Sequence, residues 1–223
     1  MRINKFIAQA SGLSRRAADQ AILDGRVQVD GRSPQAGQDI NDAAKVTLDG
    51  KLLPSGAPAV QTILLNKPAG YVVSRNGQGS ATIYDLLPAS LHHLKPVGRL
   101  DKDSSGLLLL TNNGQLAEQL THPRFQKVKV YEVELSHPLQ PLHHQMIADI
   151  GVQLDDGPSQ LGLERIQEGN DRAWRITMRE GRNRQIRRTF AALGYHVVRL
   201  HRTHFGAYSL APQMALGAYH IVA

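Results

Sequence analysis

Two periods follow one another in the first fifty residues. Ile3, Phe6, Ile7 and Ala10 recur at the spacing of one helical face and stop at Ser11-Gly12, which predicts a helix ended by glycine. Ser14 stands where an N-cap would, ahead of a second helix from Arg15 to about Asp24 with Ala17, Ala18, Ala21 and Ile22 inside. Gly25 closes it. The period then shortens to two. RVQVDG alternates apolar and polar positions and closes on Asp30-Gly31, a hairpin signal, and KVTLDG gives a further strand ending on Asp49-Gly50. The order is α-α-β-β, with a longer connection through Pro34 and Gly37. Residues 51–60, KLLPSGAPAV, hold two prolines, a glycine and a serine and read as a linker after a module of residues 1–50.

From Thr62 onward strands dominate. TILLNKPAGYVVS reads as two apolar strands around a Lys-Pro-Ala-Gly turn, and the four leucines 107–110 as a buried strand. Residues 122–135, HPRFQKVKVYEVEL, alternate so that Lys129 and Tyr131 share a face with Val133 and Leu135. RITM is another strand, and Ile186, Phe190 and Leu193 mark the buried side of a helix ending at Gly194. Many strands with few helices predict an α+β domain over 61–223, its sheet mixed and largely antiparallel.

Charge narrows the partners. The chain of 223 residues carries a net +7, so a polyanion is the first candidate. Aromatic residues are 5% of the chain, which suits phosphate contact on a folded RNA better than base-by-base stacking. The absence of cysteine excludes disulfides and thiolate metal sites and agrees with a reducing cytoplasm. No run approaches the ~18 apolar residues of a membrane span, and MRINKFIAQASGLSRR has no apolar stretch of the secretory kind. His92-His93 and His143-His144 are adjacent pairs, and no H-E-x-x-H frame surrounds any histidine, so no metal site is expected. Without a P-loop or G-x-G-x-x-G, no cofactor is expected either. Ser104-Ser105 lacks the G-x-S-x-G frame of a serine hydrolase. Asp155-Asp156, the acidic pair, has no nuclease frame around it.

The densest chemistry lies in Pro96–Gly114, PVGRLDKDSSGLLLLTNNG, where Asp101 sits between Arg99 and Lys102 at the mouth of the leucine strand. Further on, Arg182, Arg184, Arg187 and Arg188 crowd into seven residues. Such a cluster repels itself unless carboxylates or phosphates lie against it.

The nineteen-residue string resembles the catalytic motif of pseudouridine synthases, closest to the branch that modifies ribosomal RNA with a single small enzyme. K-x-Y at 129–131 is similar to the second motif of those enzymes, in which the tyrosine stacks on the target base and is implicated in proton removal at C5. EGRNRQIRR resembles the third, in which the cation after Gln-Ile pairs with the catalytic aspartate; here that cation is Arg187. The likeness implies Asp101, Tyr131 and Arg187 as catalytic residues, with Asp101 in a central cleft of the sheet. Segment 66–88 matches the opening of these domains and is read as structural or RNA-contacting. Thr189 departs from the pattern, where relatives carry a bulky apolar residue. Residues 1–50 resemble the S4 RNA-binding domain, whose Ser-Arg-Arg and Gly-Arg-Val starts contact RNA backbone, although residues 1–60 net only +2. The expected RNA-binding residues are Lys5, Arg15, Arg16, Arg26, Arg99, Lys129, Arg182, Arg184 and Arg188.

What the resemblance implies is a monomeric cytoplasmic enzyme that isomerises a uridine of ribosomal RNA, 23S favoured over 16S, with no cofactor and no membrane partner. The N1–C1′ bond breaks, the uracil rotates, and it rejoins through C5. The carboxylate acts as nucleophile or by stabilising charge at the sugar. The alternative is a non-catalytic RNA-binding or ribosome-assembly protein; Asp101, Tyr131 and Arg187 standing together favour the enzyme.

Overall fold

The computed structural model describes residues 1–41, 43–55 and 59–222, and divides the chain into two compact units, Met1–Val60 and Gln61–Ala223. In the first unit, α1 (Ile3–Ser11) ends at Gly12 in the left-handed conformation that its φ of 77° requires. The Ser14 hydroxyl accepts the Ala17 N–H at 3.0 Å and caps α2 (Arg15–Leu23). Ile3, Ile7, Ala18, Ala21 and Ile22 of these helices meet Val27, Val29 and Val46 in one small core.

The sheet of this unit differs from the expected hairpin at Asp30-Gly31. That turn is tight, but it leads only to a single bridge between Val29 and Arg32. The antiparallel partner of β1 (Val27–Val29) is β2 (Val46–Leu48), reached through the longer connection. The second Asp-Gly, at 49–50, does form a hairpin: β2 pairs there with β3 (Lys51–Leu52). Lys51 and Leu52, read from sequence as linker, therefore belong to the sheet, and Leu53 packs on its core. Residues 56–58 of the expected linker lie outside the described residues.

The second unit is built on one mixed, largely antiparallel sheet. Its strands are β4 (Thr62–Lys67), β5 (Lys95–Pro96), β6 (Ser105–Thr111), β7 (Lys129–Leu135), β10 (Gly162–Arg165), β11 (Ala173–Met178), β12 (Val197–Phe205), β13 (Tyr208–Ser209) and β14 (Tyr219–Val222). The order is β10-β11-β7-β12-β6-β4-β14, with β13 on β12 and β5 on β6. Among the described residues, β12 and β6 are the one pair of strands that run parallel. A separate hairpin joins β8 (Val152–Leu154) to β9 (Gly157–Ser159); α3 (Gly114–Thr121) and α5 (Gln185–Ala191) pack on the sheet through Leu120 and through Ile186 and Phe190, and α4 (Pro141–Gln145) has no buried residue.

The run of four leucines explains why β6 is central. Alternate side chains leave opposite faces of a strand. Leu107 and Leu109 join Leu64, Val97, Leu120 and Phe205 on one side, while Leu108 and Leu110 join Ile63, Leu65 and the larger core on the other. A strand buried on both faces calls for a continuous apolar run, which residues 107–110 of β6 and 63–65 of β4 supply.

TILLNKPAGYVVS makes one strand, not two. Pro68 has no N–H to extend the ladder, and Gly70 turns the chain away at a φ of 95°. Val72 then makes a single bridge to Thr82.

Candidate active site

Asp101 lies just before β6, and its side chain is about one-third exposed. Its backbone is held from below by Lys67, the last residue of β4. This lysine has no exposed surface, and its Nζ donates to the carbonyls of Ser104 (2.7 Å), Asp101 (3.0 Å) and Pro68 (3.0 Å). Burial pulls its pKa down to about 8, against the opposing pull of Asp101 and Asp103. The sequence reads Lys67 as the start of a Lys-Pro-Ala-Gly turn in a segment taken as structural or RNA-contacting; the three carbonyls it gathers come from the fold.

The cleft above Asp101 has a volume of about 1310 Å³ and is lined by Tyr131, Lys129, Arg99, Arg182, Arg184 and Arg187 among others. Tyr131 is buried on β7, opposite Arg202 of β12. The strand β7, the loop before β6 and the helix α5 thus bring to one cavity Tyr131, Asp101 and Arg187, the three residues that the resemblance implied.

The ion pairs differ from the expected one. Arg184 Nη1 lies 3.6 Å from Asp101 Oδ2, whereas Arg187 Nη2 lies 3.3 Å from Asp103 Oδ2. Arg187 also donates to the carbonyls of Val197 (2.7 Å) and Asp103 (3.0 Å), and only about an eighth of its side chain is exposed. Its guanidinium is spent on the loop that carries Asp101, which leaves the more exposed Arg184 to reach the carboxylate itself. Arg184 pairs with Asp103 as well, at 3.3 Å. Burial pushes the Asp103 carboxyl up, but the Arg184 hydrogen bond and both guanidinium charges outweigh it and hold the group below the usual carboxylate range.

The rest of the arginine cluster is largely occupied by the protein. Arg182 donates from Nη1 to Asp156 Oδ1 (2.8 Å) and the Gly157 carbonyl, and from Nη2 to the Pro158 carbonyl (2.7 Å). Arg188 Nη2 reaches the other Asp156 oxygen at 2.7 Å. Carboxylates therefore relieve the self-repulsion read from sequence, and Asp156, within the acidic pair set aside there, is central to it. Buried Gln185 donates to Ser159 Oγ (3.0 Å) and to Glu180. Thr189 Oγ1 donates to the Gln185 carbonyl (2.9 Å) and sits 2.7 Å from Ser159 Oγ, which accounts for a polar residue at that buried place. Arg182 and Arg188, expected on RNA, clamp β9 to the start of α5.

The expected contacts of the first unit divide in the same way. Lys5, Arg15 and Arg16 are exposed. Arg26 instead makes a forked pair with Asp49, Nε to Oδ1 at 2.7 Å and Nη2 to Oδ2 at 2.6 Å. Among the described residues, no group of three or more His, Cys, Asp or Glu could hold a metal ion.

The RNA pseudouridylate synthase family model matches residues 61–192, and the S4 domain model matches residues 1–38. The chain belongs to the RNA pseudouridylate synthase family. It is 36% identical to a ribosomal large subunit pseudouridine synthase B of Xanthomonas campestris pv. campestris over 97% of this chain and 46% of that protein. It is also 36% identical to a ribosomal small subunit pseudouridine synthase A of Yersinia pestis, over 98% of this chain and 93% of that one. A solved pseudouridylate synthase structure superposes with a TM-score of 0.71 at 32% identity, covering 100% of this chain and 96% of that chain. The chain spans about half the length of the large-subunit relatives it matches.

Proposed function

We propose that this chain isomerises a uridine in ribosomal RNA to pseudouridine, with Asp101 as the reacting carboxylate. The observation that carries the reading is the placement of Asp101: a partly exposed carboxylate at the floor of a large basic cleft, its backbone fixed by buried Lys67 and its side chain met by Arg184. The target uridine must leave its stack to reach that floor. Tyr131 forms the platform beside the flipped base, and Arg187 fixes the Asp103–Ser104 turn from which Asp101 is aimed. Both ends of the reaction are the same atoms rearranged, so the chemistry asked of the protein is positioning and charge stabilisation. Exposed Lys5, Arg15 and Arg16, with Arg99 at the cleft, contribute phosphate contacts that position the RNA. The reading includes a monomeric enzyme working in the cytoplasm.

The RNA target proposed is 23S. The relatives named above carry large-subunit and small-subunit names at equal identity, so this choice rests on the SRNGQGSATIYDLLP and NRQIRR segments. Mapping pseudouridines in both ribosomal RNAs from a strain lacking the protein tests it: one 23S uridine should stay unmodified. The catalytic assignment is tested by Asp101→Asn, which keeps size and removes charge. Tritium release from 5-tritiated uridine RNA is expected to vanish while fold and RNA affinity persist. Release at near wild-type rate would sink the assignment.

A further inference from the structure

Arg202 carries a charge that the fold does not pair. It lies on β12 with 2% of its surface exposed, and its Nε donates to the Leu107 carbonyl at 2.8 Å. Its Nη2 is buried without a hydrogen-bond partner, and no ion pair among the described residues includes it. Guanidinium stays protonated at any physiological pH, so burial cannot be relieved by losing a proton. Buried charges are ordinarily paired.

A second cation stands beside it. Lys129 on β7 lies with Nζ 5.6 Å from the centroid of Phe205, over whose ring the Arg202 guanidinium carbon sits at 4.8 Å. The only hydrogen bond from Lys129 Nζ among the described residues goes to the Glu180 carbonyl at 3.1 Å, leaving donors to spare. Burial and the Arg202 charge hold the Lys129 pKa down. The neighbouring carboxylate, Glu180, is taken by Arg182 and Gln185. The Arg202 backbone is packed tightly on β6: a Cβ on Gly106 would lie 2.3 Å from the Arg202 carbonyl oxygen. Both cations line the cleft that holds Asp101 and Tyr131.

We propose that Lys129 and Arg202, above the Phe205 ring, form a subsite for one phosphodiester of the RNA strand that carries the target uridine. The inference rests on the pseudouridine-forming reading for the identity of that strand. A phosphodiester fits better than the uracil, because two adjacent cations call for a full negative charge in the ground state, and a neutral base supplies none. Non-bridging phosphate oxygens accept several charge-assisted hydrogen bonds at once, which suits spare ammonium and guanidinium donors. The subsite would anchor the backbone while the base turns within the cleft.

Two measurements test this subsite without reading turnover, and pseudouridine formation is scored separately for the reading it rests on. Thermal melting in inorganic phosphate against chloride at equal ionic strength should show stabilisation of the wild type and loss of that shift in Lys129→Met. Binding of 16S and 23S ribosomal RNA transcripts should lose salt sensitivity in the same variant, the log–log slope falling by roughly 0.7 to 0.9 for one phosphate contact. Arg202→Met is expected to behave alike; should it fail to fold, Lys129→Met alone decides. An equal phosphate shift in wild type and Lys129→Met overturns the anion subsite. A lost phosphate shift with an unchanged RNA slope overturns its assignment to the RNA strand. If no pseudouridine forms while both shifts appear, the functional reading fails and the subsite stands.

Discussion

Lys67→Met isolates the support beneath Asp101. The substitution keeps the length of the side chain and removes the ammonium, stranding the carbonyls of Pro68, Asp101 and Ser104. An unsatisfied buried acceptor costs about 1–3 kcal/mol; two of these three are only partly buried, so the low end applies to them. Relief from burying a charge offsets part of the loss. The net expectation is destabilisation by about 2 kcal/mol at pH 7, or a fall in Tm of roughly 4–8 °C for a domain this size. The pH dependence is the sharper signature. Folded Lys67 titrates at about 8 and unfolded lysine at 10.5. Between those values the unfolded chain binds more protons, so this residue makes the wild type more stable as pH rises, by up to about 3 kcal/mol in all. The methionine variant lacks that contribution. Paired thermal melts from pH 7 to 10.5 should therefore diverge, with the gap widening above pH 8. Melting within 2 °C of wild type at every pH would refute the role assigned to Lys67. A gap that stays constant with pH would refute the titration argument while leaving the hydrogen bonds.

Arg184→Ala removes the ion pair to Asp101 from an exposed position, so single-turnover rates at saturating RNA are expected to fall with little change in stability; a pure binding defect would overturn that role. Arg187→Ala is expected to lower both turnover and Tm, because it also releases the Val197 and Asp103 carbonyls. Gly106→Ala forces a Cβ against the Arg202 backbone at a φ of 106°, and a loss of about 4 kcal/mol or more is expected, measured by denaturant unfolding. Deleting residues 1–60 should leave 61–223 folded on its own core, with RNA binding weaker and less sensitive to salt; a fragment that cannot fold, or binds as before, contradicts two modules.

Local rules were enough for the helices of the first unit. Gly12 directly follows the helix it ends, and Ser14 lies three residues from the N–H it caps, so their roles show in the spacing itself. The leucine run likewise announced a buried strand, and the structure shows both of its faces covered. Family likeness in three short motifs brought out Asp101, Tyr131 and Arg187, which lie far apart in the chain.

Pairing partners were another matter. Arg184 meets Asp103 across 81 residues and Lys67 meets Asp101 across 34, and such distances close only through the order of the strands. The sequence showed a crowd of arginines but not Asp156 and Asp103 lying against them. Nor could it tell which arginine reaches Asp101, since that depends on which carbonyls each guanidinium meets first. Arg202 carries no mark in the sequence that sets it apart from the other arginines. The antiparallel pairing of β12 with β7 brings it beside Lys129, and the parallel pairing with β6 closes its other side; its charge goes unmatched there, because burial and charge pairing are properties of the assembled sheet and not of any stretch of chain.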